Sequence, residues 1–183
     1  GTVYDAAFSP DGRWVVTTCE DRQARLWDAA SGEVRRSLPH TNKLAWASFS
    51  PRGDRLLTVA DRRVVWIWDL ATGAAVCPPM FHEGRVRVLF QVAFHPDGQR
   101  IVTTGWDNTA RVWDANTGQQ RIRLNHPGGV MSAEFSPDGE AIATACWDGS
   151  VRLWEVETGL LKSSVLPQGA PLLKLAFSRD GRH

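Results

Sequence analysis

One pattern recurs along the chain at a nearly fixed interval, and it limits the fold more than any other feature. Phe94 to Asp114 reads FHPDGQRIVTTGWDNTARVWD. Within it, a Pro-Asp-Gly turn leads into a β-rich run at Arg100–Thr104, and a tight turn at Asp107-Asn108 leads into a second run at Ala110–Trp113. Pro presets φ for a type I turn, and the following Gly takes the left-handed position. Corresponding stretches begin at Phe8, Phe49, Phe135 and Phe177, so the five anchors are 41, 45, 41 and 42 residues apart. Trp27, Trp68, Trp113 and Trp154 keep the same step of 41, 45 and 41.

A period in the low forties with four short strands per unit is the signature of propeller blades. A helical reading fails, because each short run ends in Gly, Pro, Asp or Asn. The sequence therefore predicts an all-β chain: a β-propeller of four-stranded antiparallel blades, with four blades plus the first strand of a fifth, forming a partial ring across 1–183. Blade 1 spans 3–38, with strands at Val3–Phe8, Arg13–Thr18, Ala24–Trp27 and Glu33–Leu38. Blade 2 spans 44–78, with strands at Leu44–Phe49, Arg55–Val59, Val64–Trp68 and Ala74–Cys77. Blade 3 spans 86–124, with strands at Val86–Phe94, Arg100–Thr104, Ala110–Trp113 and Gln119–Leu124. Blade 4 spans 130–165, with strands at Val130–Phe135, Ala141–Ala145, Val151–Trp154 and Leu160–Val165. The start of blade 5 occupies 172–183, its first strand at Leu172–Phe177. A glycine five residues after each repeat tryptophan (Gly32, Gly73, Gly118, Gly159) marks a left-handed turn from the third strand to the fourth.

Composition narrows the function classes. A formal net charge of +1 leaves no electrostatic footprint for nucleic acid or an anionic membrane. The arginines crowded at Arg52, Arg55, Arg62 and Arg63 read as a solvated surface. The longest apolar run, Val86 to Phe94, is too short and too charged to span a bilayer. Cys19, Cys77 and Cys146 are odd in number and widely spaced, which argues against a disulfide framework or zinc site and fits a reducing, cytoplasmic compartment. No metal or cofactor is expected. Gly1-Thr2-Val3 starts inside a repeat, so the natural N-terminus is expected upstream.

Trp27-Asp28, Trp68-Asp69, Trp113-Asp114 and Trp154-Glu155 resemble the Trp-Asp ending of the WD-repeat family, and the likeness covers nearly the whole chain. The Arg-rich style of the repeats resembles bacterial arrays. The family implies a propeller that binds proteins and has no catalysis of its own. It also implies a buried hydrogen-bond set of loop His, strand Thr, turn Asp and repeat Trp. By position these are His126, Thr144, Asp148 and Trp154 in blade 4, and His82, Thr103, Asp107 and Trp113 in blade 3. Blade 1 has Thr17, Asp21 and Trp27. Blade 2 has His40, Thr58 and Trp68, but Arg62 holds the turn-Asp position, Asp61 is displaced by one, and Trp66 replaces the arginine found at Arg25, Arg111 and Arg152. Either this turn slips to restore Asp61, or the set is broken. Blade 5 has Gln168 for His.

A catalytic triad of Thr144, His126 and Asp148 is rejected, since the trio recurs in blade 3 and an active site is not repeated once per blade. No phosphate loop, His-Glu-x-x-His or EF-hand spacing is present. His95 reads as a solvated turn residue. The family places partner contacts just before the turn Asp and near the start of each first strand. That puts Phe90, Trp106, Met131 and Trp147 together as a candidate hot spot, with padding between blades as the bland alternative. His82 lies twelve residues before its anchor where His40 and His126 lie nine, so the loop from His82 to Arg87, with Glu83 and Arg85, is a second candidate against simple length drift.

A ring of seven blades needs on the order of 300 residues. The chain therefore reads as a fragment of a longer propeller, with association of copies or a partner chain as the other ways to cover its outer blades. The leading function is a protein-interaction scaffold. The alternative is a regulatory or sensory propeller whose kinase or NTPase domain lies outside this chain.

Overall fold

A computed structural model describes residues 1–82, 89–165, 170–178 and 180. The chain divides into two compact units, Gly1–Phe81 and His82–His183. The first unit holds two sheets. One runs β1 (Val3–Phe8), β2 (Trp14–Cys19), β3 (Gln23–Asp28), β4 (Val34–Pro39); the other runs β5 (Leu44–Phe49), β6 (Arg55–Ala60), β7 (Val64–Asp69), β8 (Met80–Phe81). The second unit also holds two: β9 (Leu89–Phe94), β10 (Arg100–Gly105), β11 (Thr109–Asp114), β12 (Gln120–Asn125), then β13 (Val130–Phe135), β14 (Ala141–Cys146), β15 (Val151–Glu155), β16 (Leu161–Val165). Every ladder is antiparallel and joins sequence neighbours, which is the four-stranded blade that the period calls for.

The core lies between blades. In the first unit Leu44, Ala47 and Phe49 of β5 close over Val16, Ala24, Leu26 and Leu38 of blade 1. In the second, Val130, Ala133 and Phe135 of β13 close over Val102, Ala110, Val112 and Leu124 of blade 3. Alternation along each innermost strand sends these apolar side chains toward the neighbouring sheet, and full burial of each Val, Leu or Phe contributes about 1.5–3 kcal/mol. Polar groups pin the innermost strands side by side. The Ala47 N–H donates to the Asp5 carboxylate at 3.1 Å, and the Ser132 hydroxyl donates to Gln91 Oε1 at 2.6 Å.

The turns follow from their residues. Gly32, Gly73, Gly118 and Gly159 have φ of 69°, 75°, 72° and 70°, the left-handed region where a Cβ is unfavourable. The aspartate after the repeat tryptophan caps this turn. Asp28 Oδ1 accepts the Ala30 and Ser31 N–H groups, and Asp114 Oδ1 accepts those of Asn116 and Thr117 at 2.9 and 3.0 Å. Arg121 and these amides hold the Asp114 carboxyl at about 2, against the effect of burial.

Three expectations change. The fourth strand of blade 2 lies at Met80–Phe81 and not at Ala74–Cys77. Ala75 makes only an isolated bridge to Trp68, and the prolines at 78 and 79 have no N–H to continue the ladder. The stretch Leu172–Phe177 forms no ladder, because no described strand follows to pair with it. It still passes β13, giving the Leu175 N–H to Ser132 Oγ at 3.3 Å and the Phe177 N–H to Glu134 at 2.9 Å. His95 is buried rather than solvated: its ring meets Phe135 edge-on at 4.7 Å and its Nε2 hydrogen-bonds the Gly139 carbonyl at 2.9 Å.

Candidate functional site

Two sets of residues were singled out by the sequence, one internal and one on the surface. The internal set is fullest in blade 3. The Trp113 indole N–H donates to Thr103 Oγ1 at 2.8 Å, Thr103 pairs with His82 Nε2 at 2.6 Å, and His82 Nδ1 donates to Asp107 at 3.0 Å. Asp107 also accepts from Thr109 at 2.8 Å and Arg111 at 2.7 Å. Burial alone would raise the Asp107 carboxyl, but His82, Thr109 and Arg111 outweigh it and hold it at about 2.

Blade 4 keeps the Trp154–Thr144–His126 chain at 2.9 and 2.8 Å, yet Asp148 does not join it. This corrects the four-membered set expected there. His126 Nδ1 donates to its own strand at the Leu124 carbonyl, 3.1 Å away, while Arg152 and Ser150 occupy the Asp148 carboxylate. Burial opposes ionisation of Asp148, but those two partners keep it well below the usual carboxylate range. Desolvation lowers His126 to about 4, against its bond to the Leu124 carbonyl, which favours the charged form.

Blade 2 resolves the open alternative. His40, Thr58 and Trp68 form the chain at 2.8 and 2.9 Å, His40 Nδ1 donates to the Leu38 carbonyl, and Asp61 is not recruited. In blade 1 the Trp27 indole donates to Thr17 at 2.8 Å, and Asp21 pairs with Arg25 at 2.6 Å.

The surface set is built by a bulge. Each innermost strand carries one residue without a partner in its ladder: Tyr4, Ala45, Phe90 and Met131. Such a bulge re-aims its side chain. In the second unit Phe90 meets Trp106 edge-on at 5.6 Å, and Trp106 meets Trp147 edge-on at 5.5 Å. Trp106 and Trp147 remain 40% and 47% exposed, so padding between blades does not use up their surface. Met131 stands half-buried at the bulge of β13. Glu83 and Arg85 lie outside the described residues.

A family model described as WD domain, G-beta repeat matches residues 1–28, 81–114 and 118–155, together more than half of the chain. The chain belongs to the WD-repeat family. Each matched stretch ends on the residue after a repeat tryptophan, Asp28, Asp114 or Glu155. WD repeats generally act as protein-interaction scaffolds and are typically non-catalytic. No curated protein matches the chain. The matched stretches leave out 29–80, the interval that holds the WD-repeat blade with an arginine in place of its turn aspartate.

Sequence reasoning missed the capping role of the aspartates that follow the repeat tryptophans. The signal was present: Asp three residues before a Thr or Ser and four before Gly is a turn-capping pattern. It also missed the stack of Trp66 on Trp68, 5.6 Å apart with planes 23° from parallel.

Proposed function

We propose that this WD-repeat chain is a non-catalytic scaffold that holds a protein partner on the Phe90–Trp106–Trp147 surface, with Met131 at its edge. The carrying observation is the aromatic chain itself, three rings in edge-on contact with two of them half open to solvent. Trp offers a large apolar area with few rotatable bonds, so a partner gains burial at small ordering cost. The strands beneath are fixed by ladders, which keeps the surface pre-organised.

The test is a peptide library selected on the full chain, followed by titration of the recovered peptides against a Trp106→Ala/Trp147→Ala double variant. A loss of about thirtyfold in affinity at unchanged melting temperature supports the scaffold surface. Undiminished affinity for all recovered peptides rejects it.

A second reading, that further blades cover the outer faces, rests on Phe8. It is 68% exposed, where the equivalent Phe49 and Phe135 are 7% and 5% exposed under a neighbouring sheet. The covering blade would come from the same longer chain or another copy, and sedimentation of the full chain across a concentration series distinguishes the two. Cys19 and Cys146 are buried thiols outside any disulfide, in keeping with a reducing compartment.

A further inference from the structure

The first unit has an open pocket of about 400 Å³ lined by Tyr4, Lys43, Ala45, Trp46, Asp61 and Arg62. It exists because blade 2 withholds the two side chains that fill the equivalent place in blade 3. There the bulge residue Phe90 packs on the turn residue Trp106, whereas the same positions in blade 2 are Ala45 and Asp61. The turn beside the pocket is also built differently. In blades 1, 3 and 4 it is the third turn residue that has positive φ: Arg22, Asn108 or Gly149. In blade 2 both Asp61 and Arg62 stand at 52°, and the Arg63 N–H closes on the Ala60 carbonyl at 2.9 Å. This is a type I′ turn made without glycine, a strained choice for Arg62. Strain of this kind collects at functional positions.

The charges are rearranged as well. In the other blades the middle turn residue is an aspartate paired with an arginine four positions on: Asp21–Arg25 at 2.6 Å, Asp107–Arg111 at 2.7 Å, Asp148–Arg152 at 2.8 Å. In blade 2 those positions are Arg62 and Trp66. Trp66 is occupied in its stack on Trp68, and Arg62 has no carboxylate partner among the described residues. Lys43, on the same pocket, reaches Glu20 at 2.8 Å with one of its three donors.

The geometry points to this pocket as a binding site for a carboxylate carried on a flat or apolar body. Arg62 grips the carboxylate with its planar fork of N–H groups, and Lys43 adds a second cation. The phenol of Tyr4 and the indole of Trp46 provide surface for the body. Asp61 in the lining and Glu20 on Lys43 disfavour more heavily charged groups such as phosphates, so a single carboxylate fits best. That carboxylate can come from an acidic side chain of a peptide or from a small organic acid, and the chemistry is the same.

The experiment is ¹⁵N–¹H NMR titration of the full chain with three probes. These are 3-phenylpropionate, its uncharged amide, and a phenylalanyl-glutamate dipeptide blocked at both ends. An acid probe should shift the backbone signals of Ala45, Trp46, Asp61 and Arg62, and the amide should bind about tenfold more weakly or worse. Arg62→Gln should cause the same loss, while Arg22→Gln on the blade 1 turn should not. Arg62→Gly, which relieves the turn, should also lose binding and guards against misfolding of the Gln variant. Whichever acid probe binds more tightly identifies the source. If neither acid binds, if the amide binds equally well, or if the Arg62 variants bind as the parent does, the proposal is overturned.

Discussion

His82 Nδ1 stands 3.0 Å from each oxygen of the Asp107 carboxylate, whereas His40 and His126 give the same nitrogen's proton to a backbone carbonyl. Among the described residues, the turn aspartate is thus tied into the interior only in blade 3. Its side chain is 12% exposed and that of Arg111 is 5%, against 25% and 13% for Asp148 and Arg152. Removing Asp107 takes the carboxylate from a buried imidazole N–H and the counter-charge from a buried guanidinium, which keeps only its bonds to Thr109 and Gln120. Asp107→Ala is expected to cost about 2–3 kcal/mol, a fall of roughly 5–10 °C in melting temperature. Asp148→Ala takes an acceptor from the buried Ser150 and from a partly solvated Arg152 but leaves His126 bonded at Leu124, so it should cost less than Asp107→Ala. Thermal unfolding followed by circular dichroism checks the order, and a larger loss for Asp148→Ala would contradict it.

Acid should act in two stages, and the sign follows from the direction of each shift. His126 is lowered from 6.5 to about 4, so the unfolded chain binds its proton first and stability falls as pH drops from 6.5 toward 4. His40 is lowered by burial and adds in the same direction. Asp107 is lowered from 3.8 to about 2, so its contribution is intact above 3.8 and is lost between there and 2. The His126 stage corresponds to about 3 kcal/mol at most. Urea unfolding of His126→Gln between pH 7 and 4 should show a flatter dependence than the parent, and an unchanged slope would exclude His126 as its origin.

The blade plan was legible because it depends on backbone chemistry that repeats. Glycine five residues after each repeat tryptophan and Pro-x-Gly before each second strand admit few conformations, and their spacing located most of the strands to within a residue or two. The His-to-Asp link was not legible. His82 and His126 both pair with the strand threonine through Nε2, and which acceptor Nδ1 finds is decided by competition between a carbonyl two residues back and a carboxylate across the turn. The late strand at Met80–Phe81 was hidden for another reason: residues 74–77 look suitable for a strand, and only the pairing with β7 exposes the effect of the two prolines. The aromatic surface was half legible. The sequence brought Phe90, Trp106 and Trp147 together, but their exposure depends on how the rings lean on one another.

The lean of Trp106 depends on Gly129. A Cβ built at Gly129 comes within 2.5 Å of Trp106 Cε3 and 2.9 Å of Cζ3, so the ring lies flat against bare backbone. Gly129→Ala is expected to push Trp106 aside and break its edge-on contact with Trp147. The change in near-ultraviolet circular dichroism on making Gly129→Ala should match the change caused by Trp106→Ala. Stability should fall by about 1–3 kcal/mol, the usual cost of a forced side-chain displacement. An unaltered aromatic spectrum would mean that Gly129 does not set the ring's position.

The blade 2 turn should be improvable, unlike its counterpart in blade 3. Asp61 and Arg62 both lie at φ 52°, the pair of left-handed positions that Asn-Gly fills with least strain. Asp61→Asn with Arg62→Gly relieves the arginine's Cβ and removes no ion pair of Arg62 among the described residues, so a gain of about 1 kcal/mol, or 2–4 °C, is expected. The same Asn-Gly pair placed at Trp106 and Asp107 would do the opposite. Neither residue has positive φ there, and Asp107 anchors His82 and Arg111. Differential scanning calorimetry of the two double variants should therefore move in opposite directions. If the blade 2 variant is also destabilised, the type I′ geometry at 61–62 is not the strained turn described, and the case for Arg62 being held there for binding loses its structural basis.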